Sequence, residues 1–284
     1  MVRPVALCIA ALFAVSAVHA QPLEGRLKKI AETKSIAIAY RADATPFSFV
    51  RGQGQPEGFS IDLCKRVVNS IERQLDRALE VKWVPVTVQS RFDAVAKGQA
   101  DMECGSSTMT RTRMKEVDFS SVIFVESTGL LVKAASGARS LSDLSGKSIA
   151  VVGGTTNERA IHAQLKRRQL SVTVLPFASR DAAMAALEEG KADAFASDKL
   201  LLVGAATRAK DPRALTLLAD QLSFEPYGIV LPRGDAALRL AVNSGLARIF
   251  EGDEIVEMFR RWFAEFGRPS AVLEAAYILG AIPE

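Results

Sequence analysis

The sequence contains few of the residues from which metal centres and disulfide-rich folds are built. Its 284 residues include only three cysteines and two histidines, which rules out most Cys-rich or His-rich metal sites and disulfide scaffolds. The excess of positive charge is small too, because the sequence has 36 Lys and Arg residues and 32 Asp and Glu residues. It contains no long block of like charge. A nucleic-acid-binding arm is therefore not expected, and neither is a metal or another cofactor.

Long hydrophobic runs are missing except at the N-terminus. Residues 5–18 are almost wholly apolar, Arg3 precedes them, and small residues end the segment at Ala20. This run is shorter than the about 20 residues that a membrane span needs, and its flanks are typical of a secretory signal. We expect residues 1–20 to be a cleaved signal peptide of an exported protein, with an uncleaved membrane anchor as the alternative.

Groups for nucleophilic catalysis are equally scarce. His162 is the one histidine left after residue 20 and lies within a predicted helix, so a Ser–His or Cys–His pair has a single candidate base without a motif around it. Residues 145–148 resemble the end of a phosphate-binding loop, but Leu141 stands where its first glycine should be and a strand follows instead of a helix. We therefore expect no catalytic residues.

Strand-like and helix-like segments alternate along the chain in two sets of similar layout. The first set has strands at 35–41, 80–87 and 100–105 and helices at 58–75 and 91–98; the second has strands at 148–152, 172–177 and 192–197 and helices at 157–169 and 180–189. Such alternation predicts parallel βαβ units and an α/β protein of two lobes. The polar stretch at 130–145 is predicted to be a loop.

Two extended stretches, 122–132 and 225–232, are placed to cross between these lobes, and a helical tail at 235–266 would return to the first. Two lobes joined by two strands suit ligand capture in a cleft by hinge closure. The expected division places residues 21–126 and 232–284 in lobe 1 and residues 127–231 in lobe 2.

Polar residues follow several predicted strands, where ligands bind in open α/β sheets. The turns at 105–108 and 153–157, one in each lobe, combine glycine with hydroxyl groups. Such groups at a helix start bind anions, although each turn read alone is equally consistent with simple helix capping. The arginines near these strand ends have the planar guanidinium that matches a carboxylate, although isolated arginines usually lie on the solvated surface. Asp198 follows a strand, where it could accept from a ligand ammonium, cap the helix that begins at Lys199, or do both.

Cys64 and Cys104 lie on the first predicted helix and on a strand against which that helix packs. In an oxidising compartment such a pair is a candidate disulfide. Two buried thiols are the alternative.

Four segments together resemble family 3 bacterial solute-binding proteins, which serve polar amino-acid ABC transporters. They are Tyr40 and Arg41 followed by TPFS at 45–48, GFSIDL at 58–63, ECGS at 103–106 and GTT at 154–156. The likeness covers nearly all of the chain after residue 20. Arg41, QSR at 89–91, Arg113 and EPYG at 225–228 are marks of its glutamate/aspartate-binding subgroup.

The resemblance implies a type II periplasmic-binding-protein-like fold, a monomer in the periplasm, and a permease in the inner membrane as partner. It also implies a role for each matching residue. Arg113 would hold the ligand α-carboxylate, helped by Ser106, Thr108, Thr155 and Thr156. Asp198 would hold the α-ammonium, and Arg41 and Arg91 would meet a side-chain carboxylate.

Three positions depart from the subgroup. Val88 stands where serine is common, Ser107 replaces threonine, and Arg180 stands near a position where histidine is usual. Arg180 is expected either to add a third cation to the side-chain pocket or to face solvent. These departures leave the preference between glutamate and aspartate open.

The expected function is therefore non-enzymatic binding of L-glutamate, L-aspartate or both for ABC-transporter import. A binder of glutamine or another polar amino acid is the first alternative, and it requires Arg41 or Arg91 to face away from the cleft. A dehydratase on the same fold is the second. It requires Glu103 or His162 to point into the cleft, and we expect neither to do so.

Overall fold

Two five-stranded sheets organise residues 23–283, the part of the chain that the computed structural model describes. The expected signal peptide at residues 1–20 lies outside this part. The first sheet contains β1 (Ser35–Arg41), β4 (Glu80–Val86), β5 (Met102–Glu103), β6 (Val117–Phe119) and β14 (Val230–Pro232). The second contains β8 (Thr128–Lys133), β9 (Ser148–Val152), β10 (Thr173–Phe177), β11 (Ala194–Asp198) and β12 (Leu215–Leu217). Two small sheets pair β2 (Asp43–Ala44) with β3 (Ser48–Phe49) and β7 (Phe124–Glu126) with β13 (Glu225–Tyr227).

Helices cover the faces of both sheets, and the last three helices come after the final strand in the chain. They are α1 (Gly25–Thr33), α2 (Phe59–Leu75), α3 (Arg91–Ala96), α4 (Thr156–Arg168), α5 (Arg180–Glu188), α6 (Lys199–Ala206), α7 (Ala236–Glu251), α8 (Glu254–Phe263) and α9 (Ala271–Gly280). Short 3₁₀ turns lie at Arg113–Lys115, Ala134–Ser136, Leu141–Leu144, Pro212–Ala214 and Ala264–Phe266. Within residues 23–283, no helix combines the length and the hydrophobicity that crossing a bilayer requires.

The two sheets share one topology, although the sequence contains no repeat. Their strand orders are β4-β1-β5-β14-β6 and β10-β9-β11-β8-β12. In each sheet the fourth strand, β14 or β8, is antiparallel to both of its neighbours. The predicted two-lobe α/β architecture is confirmed.

A two-stranded connection joins the lobes. The chain leaves the first sheet after β6, passes through β7 and enters the second sheet as β8; it returns through β13 to β14. β7 and β13 pair antiparallel, with Phe124 opposite Tyr227 and Glu126 opposite Glu225. The predicted two-strand hinge is thereby confirmed. The exact lobe boundaries stay a prediction.

An aromatic cluster lies behind this hinge. Phe47 packs against Phe124 of β7 and Tyr227 of β13, with ring centroids 4.8 Å and 5.2 Å apart. Phe263 of α8 lies 5.1 Å from Phe59 of α2. Edge-to-face and tilted aromatic pairs of this kind stabilise a core beyond the area they bury. The C-terminal helices therefore return to the first lobe, as expected, and hold one side of the hinge.

The prediction of a loop at 130–145 is wrong over its first part. β8 continues to Lys133, with Leu130, Leu131 and Val132 buried. The run TGLLVK is buried on both faces, so it lacks the polar–apolar alternation by which a half-exposed strand is recognised. Helices α1 and α9 were also not foreseen.

A disulfide joins α2 to the end of the central β5 strand. The sulfurs of Cys64 and Cys104 are bonded, and the two Cα atoms are 6.4 Å apart. Beside this bond, the Ser60 hydroxyl donates to the Gly105 carbonyl at 2.7 Å. The start of α2 is therefore tied twice to the strand end from which residues 105–108 emerge.

Removing the disulfide through Cys64→Ala and Cys104→Ala should lower the free energy of unfolding by about 4 kcal/mol, since the bond closes a loop with a sequence separation of 40. Urea unfolding with and without a reductant measures this. The reductant should destabilise the wild type and leave the double variant unchanged. Equal unfolding midpoints for the two oxidised proteins would contradict the expectation.

Candidate functional site

Four arginines lie buried where the two lobes meet. Arg41 ends β1, Arg91 begins α3, Arg113 begins a 3₁₀ turn, and Arg180 begins α5. All four are at most 9% exposed. Burial, followed by repulsion from neighbouring arginines, lowers the pKa of Arg41 to about 9 and those of Arg91 and Arg113 to about 10. Buried cations are costly unless anions compensate them, so the arrangement favours an anion.

A single aromatic ring supports two of these arginines. The guanidinium carbons of Arg91 and Arg113 each lie 4.7 Å from the centroid of the Phe92 ring. Arg113 Nη1 also donates to the Thr108 carbonyl at 2.7 Å. Phe92 was not foreseen as part of the site. The sequence could have indicated this role, because Phe92 directly follows Arg91 and a guanidinium readily stacks on an aromatic face.

The loop after β5 is bound to the hinge. Met109 N donates to the Pro226 carbonyl at 2.7 Å, and Gly228 N donates to the Ser107 carbonyl at 3.2 Å. The hydroxyls of Ser106 and Ser107 are buried and have no hydrogen-bond partner among the described residues. The loop therefore holds two buried hydroxyl groups while its backbone follows the hinge strand, and the Ser107 hydroxyl lies close enough to Glu103 to lower the pKa of that acid.

The corresponding turn of the second lobe caps α4. The Thr155 hydroxyl accepts from Glu158 N at 3.2 Å and donates to the Val152 carbonyl at 2.7 Å, so its capping interpretation holds. Thr156 Oγ1 lies 3.3 Å from Thr108 Oγ1 across the lobe junction. N–H groups in the first turn of a helix lack acceptors within it, so this turn brings donors up to the loop of the first lobe.

Asp198 is buried at the end of β11. Its Oδ1 accepts from Asn157 Nδ2 at 3.0 Å, and Asn157 Nδ2 also donates to Thr128 Oγ1 at 2.9 Å. Asp198 occupies the N-cap position of α6 but makes no side-chain capping bond, so the capping alternative fails. Burial, and then the charge of Glu225, raises the pKa of Asp198 to about 6. It is mostly ionised at pH 7.

Asp43 joins the arginines of the two lobes, and it was not foreseen. Its Oδ1 accepts from Arg41 Nη2 at 2.5 Å and its Oδ2 from Arg180 Nη1 at 3.5 Å. Arg180 is 3% exposed, so the expectation that it faces solvent is wrong, and its role as a third cation of the side-chain pocket stays a prediction. The signal for Asp43 was its spacing of two residues from Arg41, since alternate residues of an extended chain share a face.

Further contacts across the junction show that the lobes are closed. Gln89 Nε2 donates to the Ala178 carbonyl at 3.4 Å, and Arg208 Nη1 donates to Thr45 Oγ1 at 2.8 Å. Gly204 of α6 approaches so closely that a Cβ there would lie 2.4 Å from the Thr45 carbonyl oxygen. Closure at this point therefore depends on a glycine.

Glu103 lies close to the site arginines Arg91, Arg41 and Arg113, and the expectation that it does not point into the cleft stays a prediction. Glu103 is fully buried, and the hydrogen-bond geometry gives neither of its carboxylate oxygens a partner in the described part of the chain. Burial raises the pKa of Glu103 against the opposing effect of Arg91. A Cβ at position 105 would lie 2.2 Å from Glu103 Oε1, which explains the glycine there. His162 is exposed on α4.

Two further carboxylates face each other in the hinge. Glu126 accepts from Ser127 N at 2.9 Å and from Leu200 N at 3.1 Å. Glu225, opposite it, accepts from Ser223 Oγ at 2.6 Å. Burial, and then the charge of Asp198, raises the pKa of Glu126 to about 8. Neither glutamate was assigned a role from the sequence.

Residues 36–265 match the bacterial extracellular solute-binding proteins, family 3. The chain belongs to this family. Its curated relatives include the L-glutamate/L-aspartate-binding protein of Pseudomonas aeruginosa, which is 34% identical over 259 residues, or 90% of this chain and 85% of that protein. An ABC transporter glutamine-binding protein of Bacillus subtilis is 29% identical over 241 residues, or 84% of this chain and 85% of that protein.

A solved structure has the same fold. The crystal structure of an ancestral amino acid-binding protein, a precursor of cyclohexadienyl dehydratase, superposes with a TM-score of 0.73 at 27% sequence identity. The match covers 84% of this chain and all of that one. The expectation of a type II binding-protein fold, drawn from family resemblance, is confirmed for this solute-binding protein.

The buried acids should make the ligand-free solute-binding protein less stable as the pH rises from about 5 to 8. Glu126 and Asp198 have folded-state pKa values of about 8 and about 6, above the ordinary 4.5 and 3.8. Between these values the folded state binds more protons than the unfolded chain, so the free energy of unfolding falls with rising pH. Urea unfolding at several pH values measures this. Glu126→Gln should flatten the dependence, and a stability that rises from pH 5 to 8 would refute it.

Proposed function

We propose that this solute-binding protein captures L-glutamate, L-aspartate or both in the periplasm for import through an amino-acid ABC transporter. The observation that carries the proposal is the convergence of four buried arginines with the buried Asp198 between closed lobes. A dicarboxylic amino acid carries two anionic groups and one cationic group, which is the complement of such a site.

The α-carboxylate is assigned to Arg113. Its guanidinium is held by the Thr108 carbonyl and by the Phe92 ring, so little conformational freedom is lost when a ligand binds. The hydroxyls of Ser106 and Thr108 and the start of α4, at Thr156, add donors from both lobes. A fork of guanidinium donors suits a carboxylate better than a single ammonium does.

The α-ammonium is assigned to Asp198. Asn157 fixes this carboxylate by donating to its Oδ1 at 3.0 Å, and the Tyr227 side chain lies close enough to lower its pKa. Because the pKa of Asp198 is about 6, the group carries the required negative charge at neutral pH. Thr155 contributes through the shape of its turn, since its hydroxyl is already engaged.

The side-chain carboxylate is assigned to Arg41, Arg91 and Arg180. The Nε atoms of all three are buried and without a hydrogen-bond partner among the described residues. A ligand with an amide in place of the side-chain carboxylate would leave these buried cations uncompensated, which costs binding free energy. This supports an acidic ligand over glutamine, and so does the glutamate/aspartate name of the Pseudomonas relative.

A dehydratase remains the second candidate because of Glu103. This acid lies beside Arg41 and Arg91 with a raised pKa, and such groups are candidates for proton transfer. The solved dehydratase precursor shares the fold. Against this candidate, Glu103 is fully buried and is compensated by the arginines around it.

The remaining parts of the proposal concern the protein's surroundings. We infer export through cleavage of residues 1–20, a monomeric state, and docking on a permease of the inner membrane.

The division expected from the sequence places residues 21–126 and 232–284 in lobe 1 and residues 127–231 in lobe 2. Because β14 begins at Val230 within the first sheet, we place the return crossing a few residues earlier.

Calorimetric titration of the ligand-stripped protein with L-glutamate, L-aspartate, L-glutamine and L-histidine tests the ligand class. At least one of the two acids should bind tightly and glutamine much more weakly. Preferred binding of glutamine or histidine would reject the acidic specificity. If none of the four binds, a turnover assay with carboxylated cyclohexadienes decides for or against the dehydratase.

Arg113→Ala should weaken binding of the acidic ligand at least about 100-fold, because it removes one partner of a buried charge pair. The exposed Arg111, two residues away, provides the control: Arg111→Ala should change the dissociation constant less than about twofold. Retained affinity in Arg113→Ala would refute the carboxylate assignment.

Arg91→Ala separates the side-chain subsite from the α-carboxylate subsite. Its removal should weaken glutamate binding at least about tenfold more than glutamine binding, since only glutamate carries the charge that Arg91 neutralises. The two dissociation constants are measured on the same variant. Equal losses for both ligands would contradict the assignment.

A further inference from the structure

Asp43 is an acid in a site that otherwise gathers cations. Its side chain is 19% exposed, while those of Arg41 and Arg180 are 3% and 4% exposed. Burial opposes ionisation of Asp43, but Arg180 and Arg41 outweigh it and hold its pKa below the usual value. Asp43 is therefore a carboxylate at neutral pH, placed between two guanidiniums that the ligand also needs.

The two oxygens of Asp43 go to different lobes. Oδ1 contacts Arg41 of the first lobe at 2.5 Å and Oδ2 contacts Arg180 of the second at 3.5 Å. Each arginine keeps buried donors for another anion, namely Nε and Nη1 of Arg41 and Nε of Arg180. Asp43 thus engages one nitrogen of each guanidinium, Nη2 of Arg41 and Nη1 of Arg180, and leaves these buried donors unpaired.

Closure changes the charge around Arg41. When the lobes close, Arg180 comes within reach of Arg41, and after burial it is the strongest influence that disfavours the charged form of Arg41. Asp43 offsets this repulsion in every closed state, whichever ligand is present. If the side-chain carboxylate of the ligand binds Arg41 and Arg180 as proposed, Asp43 would lie near it and oppose its charge.

We propose that Asp43 and Arg180 act as a charge-matched pair that sets how strongly the site distinguishes an acidic side chain from its amide. This inference rests on the proposed function, because it concerns the side-chain subsite of that ligand. Arg180 adds a cation to the subsite and Asp43 cancels it. Removing either one shifts the subsite by one unit of charge in opposite directions, and removing both restores the balance.

The test uses Asp43→Asn, Arg180→Gln and the double variant, with dissociation constants for L-glutamate and L-glutamine. The ratio of the glutamine constant to the glutamate constant should rise at least about fivefold in Asp43→Asn and fall at least about fivefold in Arg180→Gln. In the double variant it should return to within about twofold of the wild type. A purely structural role for Asp43 would change both constants together and leave the ratio unmoved.

Arg208→Gln is the matched control. It removes a contact between the lobes whose acceptor, Thr45 Oγ1, is uncharged. It also removes an exposed ion pair within the second lobe, between Arg208 Nη2 and Asp181 Oδ1 at 3.6 Å. It should weaken both ligands by the same factor and leave the ratio unchanged. A ratio that is the same in all variants would overturn the proposal, and so would a double variant no closer to the wild type than Arg180→Gln.

A measurement without ligand separates failure of this proposal from failure of the proposed function. In Asp43→Asn, closure brings Arg180 against Arg41 without compensation, so small-angle scattering of the ligand-free variant should give a larger radius of gyration than the wild type at low salt. High salt should reduce the difference because it screens charge. If neither amino acid binds the wild type, the proposed function fails. If the radii of gyration of the wild type and of Asp43→Asn are also equal at low salt, the charge-matched pair is overturned as well.

Discussion

The burial of four positive charges at the junction of two lobes carries an energetic cost that the residues around them must compensate. Arg41, Arg91, Arg113 and Arg180 are at most 9% exposed between the closed lobes. A guanidinium cannot shed its proton at neutral pH, so the cost is met by compensating anions and by contacts such as the Phe92 ring. The closed arrangement thus favours the proposed anionic ligand over a neutral one.

The hinge links this charge cluster to the apolar core. On one side, Phe124 and Tyr227 of the hinge strands pack into the aromatic cluster of the first lobe. On the other, β13 binds the loop at 105–109 that carries the hydroxyl groups, and Glu126 accepts from the start of α6 directly after Asp198. A change in hinge angle would therefore move the candidate site residues of the two lobes relative to each other, while the core holds the strands in register.

The elements and most of the site were open to prediction for a simple reason. Parallel strands present their carboxyl ends at one edge, so residues that follow them in sequence meet in space. Arg41 and Asp198 could be placed from the strand pattern alone, and β1 and β9 have the predicted bounds. β8 was missed because a strand buried on both faces has no alternation to reveal it.

Local periodicity and the order of elements were enough to predict the two-lobe α/β organisation, the two-strand crossing and the arginines near the strand ends. Which charges meet across the cleft became visible only in the folded protein. Asp43 and Arg180 are 137 residues apart in the chain, and Glu103 joins the arginines through the way its strand is buried. Pairings of this kind depend on how two separately built lobes close on each other, and no local pattern in the chain encodes that geometry.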